Sequence, residues 1–186
     1  MHSPGADAVH VSVRGGPTAE EYNRVEHHGT ARVAQMAASV GVERLTYVSH
    51  TLAAPDAIAP DLAAKFRAER AIVGSGVPYT IFRPTYFMES LPRHVRGARA
   101  VVLGRQPHPF HMIAAADFAR MVSRALGTPK TTGMCLDIHG PQALTIRDAL
   151  RVYCQRLAPG TRVVIRPLEL MALLDRTVLH GSSAAP

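Results

Sequence analysis

"DLAAKFRAERAIVGSGVPYTIFRP", Asp61–Pro84, decides the fold. Leu62 to Ser75 is built of helix-forming residues, and Gly76 gives the helix its C-terminal stop. "YTIFRP", Tyr79–Pro84, packs β-branched and aromatic residues into a strand-length run. Pro84 has no N–H to offer a ladder, so the chain leaves the sheet there. A helix followed within three residues by a strand is half of a crossover unit.

The rest of that unit lies upstream. "ERLTYVSH", Glu43–His50, reads as a strand, and a Pro-containing polar loop leads from it to about Pro60. Before it, Thr18–Gly41 reads as one helix. Thr18 and Glu21 have the capping-box spacing, Val25, Gly29, Val33, Met36, Ala37 and Val40 recur at helical spacing, and Gly41 closes it. "DAVHVSVR", Asp7–Arg14, is valine-rich and ends in Gly15-Gly16, a buried strand and its turn. Strand, helix, strand, helix, strand predicts parallel strands joined by crossover helices.

Downstream, "HMIAAADFARMVSRALG" (His111–Gly127) reads as a short strand and a helix opened by Asp117. Met134–Leu157 gives a strand, a Gly140-Pro141 turn, and a helix capped by Thr145 with Asp148 at its third position. Arg162–Arg176 gives a strand and a last helix, and the tail "GSSAAP", Gly181–Pro186, reads as disordered.

Composition narrows the class. With 186 residues, 47% of them hydrophobic, the chain can bury one real core. No apolar run reaches membrane-spanning length and the N-terminus lacks a signal-peptide pattern, so a cytoplasmic protein that does not enter membranes is expected. Cys135 and Cys154 are far apart without metal-ligand spacing, and two buried thiols are expected rather than a disulfide. The formal charge is +7, and basic residues cluster in "LPRHVRGARAVVLGR" (Leu91–Arg105). That cluster has no aromatic residue for base stacking and matches no nucleic-acid motif, so it reads as a solvated basic loop and nucleic acid is not expected as a partner. Ten histidines are present, but His27 and His28 point about 100° apart on a helix. His108 and His111 merely flank Pro109 in a loop, so no metal site is expected.

Phosphate-binding loops are missing. "GSGVPY" (Gly74–Tyr79) follows a helix and precedes a strand, the reverse of the context that a glycine-rich nucleotide loop requires. "GTPKTTG" (Gly127–Gly133) has no helix after its lysine and reads as a helix-to-strand loop.

"VERLTYVSH" and "AKFRAERAIVGSGVPYTIFRPTYFMESL" resemble the middle of the NmrA-like atypical short-chain dehydrogenase/reductases. The helix Thr18–Gly41 is similar to the superfamily's "N-x-x-G-T" helix: Gly29 and Thr30 match, and Glu26 stands at the Asn position. "FHMIAAADFARMVSRAL" and "LDIHGPQALTIRDAL" resemble the segments that follow the cofactor site. The resemblance implies a partial doubly wound, Rossmann-like parallel sheet with a small C-terminal α/β substrate region. It thus implies one α/β domain over residues 1–180, with 1–90 as the core portion, 91–180 as the substrate region, and 181–186 as tail. Against the family pattern the chain begins at the fourth strand, and the glycine-rich first half has no counterpart. Weak NAD(P) binding by this chain alone is therefore expected, and so is an unpaired sheet edge that a homo-oligomer or a completing partner chain would cover.

The resemblance also assigns residues. Ser49 ends a strand where α/β sheets place ligands and corresponds to a serine that hydrogen-bonds a substrate carbonyl. Lys65 corresponds to the lysine that holds the nicotinamide ribose. The family's tyrosine acid stands four residues before that lysine, but here the position is Asp61. A carboxyl with an ordinary pKa of about 4 is ionised at pH 7 and cannot act as that acid. A Lys65–Glu69 surface pair is the plain alternative for the lysine. Arg83, Pro84, Thr85 and Phe87 fall at the corner that lies against the nicotinamide in relatives. These implications add up to an NAD(P)-associated oxidoreductase acting on a small carbonyl or quinone acceptor; the alternative is a non-catalytic sensor or interaction protein.

Overall fold

The computed structural model describes residues 6–167. The chain opens with β1 (Ala8–Val11) and α1 (Ala19–Tyr22), then runs through wide π-type turns (Asn23–Gly29) into α2 (Thr30–Ser39). β2 (Arg44–Val48), α3 (Pro60–Ser75) and β3 (Tyr79–Pro84) follow. A 3-10 segment (Met88–His94) leads to β4 (Val95–Arg96), β5 (Arg99–Leu103), β6 (Phe110–His111) and α4 (Ala115–Leu126). The last elements are β7 (Met134–Ile138), β8 (Ala143–Leu144), α5 (Ile146–Leu157) and β9 (Arg162–Arg166).

These elements form two compact units. The first takes the chain up to Thr85 together with Ile113–Gly140; the second takes Tyr86–Met112 and the chain from Pro141.

The first unit is a parallel sheet in the order β1-β2-β3-β7. Its register aligns Val11, Tyr47, Ile81 and Cys135 in one row across the strands. Because side chains alternate along a strand, Leu45 and Tyr47 face one side of β2 and Thr46 the other. On the first side they join Ala34 and Ala37 of α2 and Ala68 and Ile72 of α3 in a single buried cluster. On the other, Phe82 meets Phe118 of α4 edge to face, centroids 5.7 Å apart. Helices on both faces of a parallel sheet make this a Rossmann-like α/β unit.

Arg44 ties the second face together. Its guanidinium is buried and donates to the hydroxyls of Thr80 (3.2 Å) and Thr131 (3.1 Å) and to the Ala125 carbonyl at the end of α4 (3.2 Å). A cation suits the negative end of a helix.

The second unit has a three-stranded sheet, β4-β5-β9, and a β6-β8 pair. β5 turns Ala100 and Val102 toward Ala149, Leu150 and Cys154 of α5, and all five are buried together. Thr145 caps α5, accepting from the Asp148 N–H at 3.1 Å, as the sequence predicts.

Several expectations change. The helical stripe that faces the core is Glu26, Thr30, Ala34 and Ala37, whereas Val33, Met36 and Val40 are exposed. Alanines fill those positions in the cluster with the sheet, and Glu26 has a buried partner, described below. The basic stretch Leu91–Arg105 is not a solvated loop: Gly97, at φ +55°, turns it into the β4–β5 hairpin. Asp117 sits inside the first turn of α4, paired with Arg120, and Ala114 occupies the cap position. Of the two free thiols, Cys154 is buried and Cys135 is exposed. The expected last helix and tail lie outside the described residues. Among the described residues, no helix is long and apolar enough to cross a membrane, and no cluster of three or more His, Cys, Asp or Glu could hold a metal ion.

Arg44→Ala would strip a buried helix end and two hydroxyls of their charged donor. It is expected to lower unfolding stability by about 2–4 kcal/mol, read from the urea midpoint, since hydrogen bonds to a charged group each contribute about 1.5–3 kcal/mol.

Candidate functional site

The carboxyl ends of β2 and β3 lie side by side, and the loop after β2 is bonded to β3. The Ser49 N–H donates to the Phe82 carbonyl at 2.7 Å and the Thr51 N–H to the Pro84 carbonyl at 3.3 Å. The Thr85 N–H donates to the Ile138 carbonyl of β7 at 3.1 Å. Pro84 is the last residue of its strand, as its missing N–H requires, and is fully buried. Ser49, Pro84 and Thr85 are thus held at one edge of the first unit's sheet.

Ser49 is 3% exposed, and its Oγ has no hydrogen-bond partner. A buried hydroxyl without a partner costs about 1–3 kcal/mol, so it marks a position where a bound group would be welcome.

Lys65 rises from the first half of α3 to the same place. Its Nζ donates to the Val48 carbonyl (3.2 Å), lies 3.5 Å from Glu26 Oε2, and sits 5.6 Å from the centre of the Tyr47 ring. Only 15% of the lysine side chain and 1% of the glutamate side chain are exposed. Glu26 Oε1 also accepts the Gly15 N–H at 3.2 Å. The alternative Lys65–Glu69 pair does not form among the described residues. Glu69 instead receives Arg83 in a two-pronged contact, Nε–Oε1 2.8 Å and Nη2–Oε2 2.5 Å. That bond holds the Arg83 guanidinium above its usual pKa.

Tyr47 lies near both carboxylates. Burial first, then the charges of Glu26 and Glu69, push its hydroxyl well above the usual tyrosine range, and that hydroxyl has no hydrogen-bond partner. Asp61 occupies the first turn of α3, where a carboxylate suits the helix N-terminus. Phe87 belongs to the second unit, half-buried at the start of the 3-10 segment.

Two residues here escaped the sequence reading as site residues. Glu26 was legible only as a departure from the Asn of the helix motif. His50 directly follows Ser49, and its Nδ1 accepts the Leu52 N–H at 3.0 Å, which places the proton of the neutral ring on Nε2. Burial, and secondarily the charge of Lys65, hold this histidine below its usual pKa, while Asp61 pulls weakly the other way.

The profile of the NAD(P)H-binding family matches residues 2–129. The chain belongs to that family. A curated relative is the (4-alkanoyl-5-oxo-2,5-dihydrofuran-3-yl)methyl phosphate reductase of Streptomyces griseus, 30% identical over 163 residues, covering 83% of this chain and 55% of the reductase. Among solved structures, the UDP-glucuronic acid 4-epimerase from Bacillus cereus in complex with NAD is similar at a TM-score of 0.71 and 13% identity. That match covers 87% of this chain and 63% of the epimerase. The Citrobacter sp. triphenylmethane reductase complexed with NADP(H) is similar at 0.67 and 16% identity, covering 97% of this chain and 62% of that one. This chain therefore spans somewhat over half of the relatives it matches. The family's cofactor is NAD(P)H, and an unpartnered Ser49 hydroxyl next in the chain to the Val48 carbonyl that Lys65 grips is compatible with it.

Breaking one member of the buried Glu26–Lys65 pair should hurt more than removing both. Glu26→Gln and Lys65→Met are each expected to lower stability by about 2–4 kcal/mol, and the double variant by clearly less than their sum. Urea titrations of the four proteins check this; strict additivity would mean that the two charges do not interact.

His10, His27 and His50 are all held below the usual histidine pKa of 6.5, each chiefly by burial. The unfolded chain therefore binds more protons below pH 6.5 than the folded one. Stability should be fully present above pH 6.5 and decline as the pH falls below it, and thermal midpoints between pH 8 and 5 measure that decline.

Proposed function

We propose that the chain is part of an NAD(P)H-dependent oxidoreductase of the NmrA-like branch, acting on a small carbonyl or quinone acceptor. The observation that carries this reading is the buried, unpartnered hydroxyl of Ser49, one peptide from the Val48 carbonyl that Lys65 grips. The family match and the reductase relative support it. When bound, the cofactor supplies hydride. Ser49 would donate a hydrogen bond to the acceptor oxygen, and Lys65, fixed by Glu26 and Val48, would hold the ribose. Arg83 acts by bracing α3 through Glu69. Pro84 and Thr85 shape the floor beside the nicotinamide.

A sensor that binds the cofactor without turnover is the second reading. It is favoured by Asp61, which cannot act as the tyrosine acid of related reductases.

Fluorescence titration with NADPH and NADH, together with cofactor oxidation in the presence of small quinones, tests both. Lys65→Ala is expected to weaken cofactor binding by about 1–3 kcal/mol, the range for a lost charged hydrogen bond, and Asp61→Ala to change it little. Ser49→Ala should leave cofactor binding intact and lower turnover by about tenfold or more, as for loss of a donor to developing negative charge. Turnover unaffected by Ser49→Ala would remove the serine from the chemistry. Cofactor binding with no turnover of any quinone would favour the sensor.

A further inference from the structure

The chain's positive charge sits almost entirely in the second unit. Its described residues carry nine arginines against two carboxylates, Glu89 and Asp148, whereas those of the first unit carry eleven basic and ten acidic side chains. Asp148 is already engaged by Thr145 and Arg151.

Strand register gathers part of this charge into a row. Arg96 of β4 stands opposite Arg99 of β5, and Arg99 stands opposite Arg162 of β9. Arg166 lies two pleats further along β9. Ala100 and Val102 point into the core, so Arg99 and the partners aligned with it point to the other face, and all four arginines are exposed. Arg96 donates to the carbonyls of Arg93 and Val95, at 3.0 and 2.9 Å. None of the four has an ion-pair partner among the described residues. A groove of about 680 Å³ runs beside them, lined by Arg99, Arg162, Arg166, Val164 and Ile165.

Like charges directly opposite one another destabilise a sheet. Charged side chains on an edge strand discourage aggregation, which accounts for Arg162 and Arg166 on β9. It does not account for Arg99, on the central strand with an arginine on either side. The described residues of this unit include no lysine, and arginine's planar fork matches phosphate oxygens in pairs. With strands about 4.8 Å apart, the row spans about 10 Å, the scale of one or two phosphate groups rather than a polymer backbone. No aromatic side chain lines the groove to stack a base.

We propose that the Arg96–Arg99–Arg162 row and the groove beside it bind the phosphate groups of a small, soluble phosphorylated compound. The row belongs to the second unit and shares no residue with the Ser49–Lys65 edge of the first, and the proposal does not depend on the oxidoreductase reading.

Isothermal titration of the full chain with sodium pyrophosphate at low ionic strength, without nicotinamide cofactor, tests this directly. The expected result is one site, weakened about tenfold or more by Arg99→Ala and by Arg162→Ala, as for lost paired contacts to phosphate. Arg147→Ala removes the same charge from an exposed position on α5 and should change affinity by less than about twofold, as for a screened distant charge. Citrate, of similar charge but different geometry, should bind at least about tenfold more weakly, because it cannot match the arginine forks. Thermal midpoints confirm folding; Arg99→Ala should match or exceed the parent, because it relieves repulsion, and Arg99→Gln serves in its place if the alanine variant fails to fold. No pyrophosphate binding, equal loss in Arg147→Ala, or equal binding of citrate would overturn the proposal. Tighter binding of a single-stranded oligonucleotide, lost with the same arginines, would overturn it in favour of a nucleic-acid surface.

Discussion

The buried contact between Glu26 and Lys65 is the constraint to which the candidate site is tied. It joins the helical run before β2 to α3 across the Tyr47 ring, and through Val48 it reaches the strand end that carries Ser49. An ammonium on a side chain only 15% exposed calls for a nearby anion, and a ligand is one answer. The protein supplies its own: a carboxylate brought in from a different helix and steadied by the Gly15 amide. The ammonium is thereby localised before any ligand arrives, which lowers the ordering entropy that a binding event has to overcome.

A second ionic contact repeats the arrangement one turn along α3. Glu69 is buried and binds Arg83, the penultimate residue of the site strand. Burial first, and then both carboxylates from their separate positions, keep the Tyr47 hydroxyl protonated. Buried charges of opposite sign contribute little net stability against an apolar alternative. They do penalise any slip of α3 against the sheet, because a slip would strand four charges at once. Position along the sheet is what a site at the strand ends needs.

Much of the fold was legible because it rests on local signals. Gly76 after α3, the Thr18 and Thr145 caps, and the β-branched runs of β2, β3 and β9 all act over a few residues. The α/β class followed from their order. What escaped depends on contacts distant in sequence. The inward face of the helical run Asn23–Ser39 could not be read from apolar spacing, because alanines and a glutamate whose partner lies 39 positions away in the chain occupy it. The β4–β5 hairpin hid behind its arginines: alternation of Ala100 and Val102 is too short a signal to compete with the surrounding charge. Ser49 and Lys65 were named from resemblance, and the geometry puts them at one strand end; the roles of Glu26 and His50 needed coordinates.

The wide turns at Asn23–Gly29 set the phase of this helical run. A helix that takes an extra residue into such a turn shifts everything beyond it by about 100° around its axis relative to an unbroken α-helix. Here the phase on one side is fixed by the Thr18 cap, and on the other by Ala34 and Ala37 against the sheet. Glu26 lies in the segment that reconciles the two. A single-residue deletion there would leave both ends in place and rotate a different side chain toward Lys65. The identity of the lysine's neighbour is thus set by the phase of the helical run as well as by the residue type at one position.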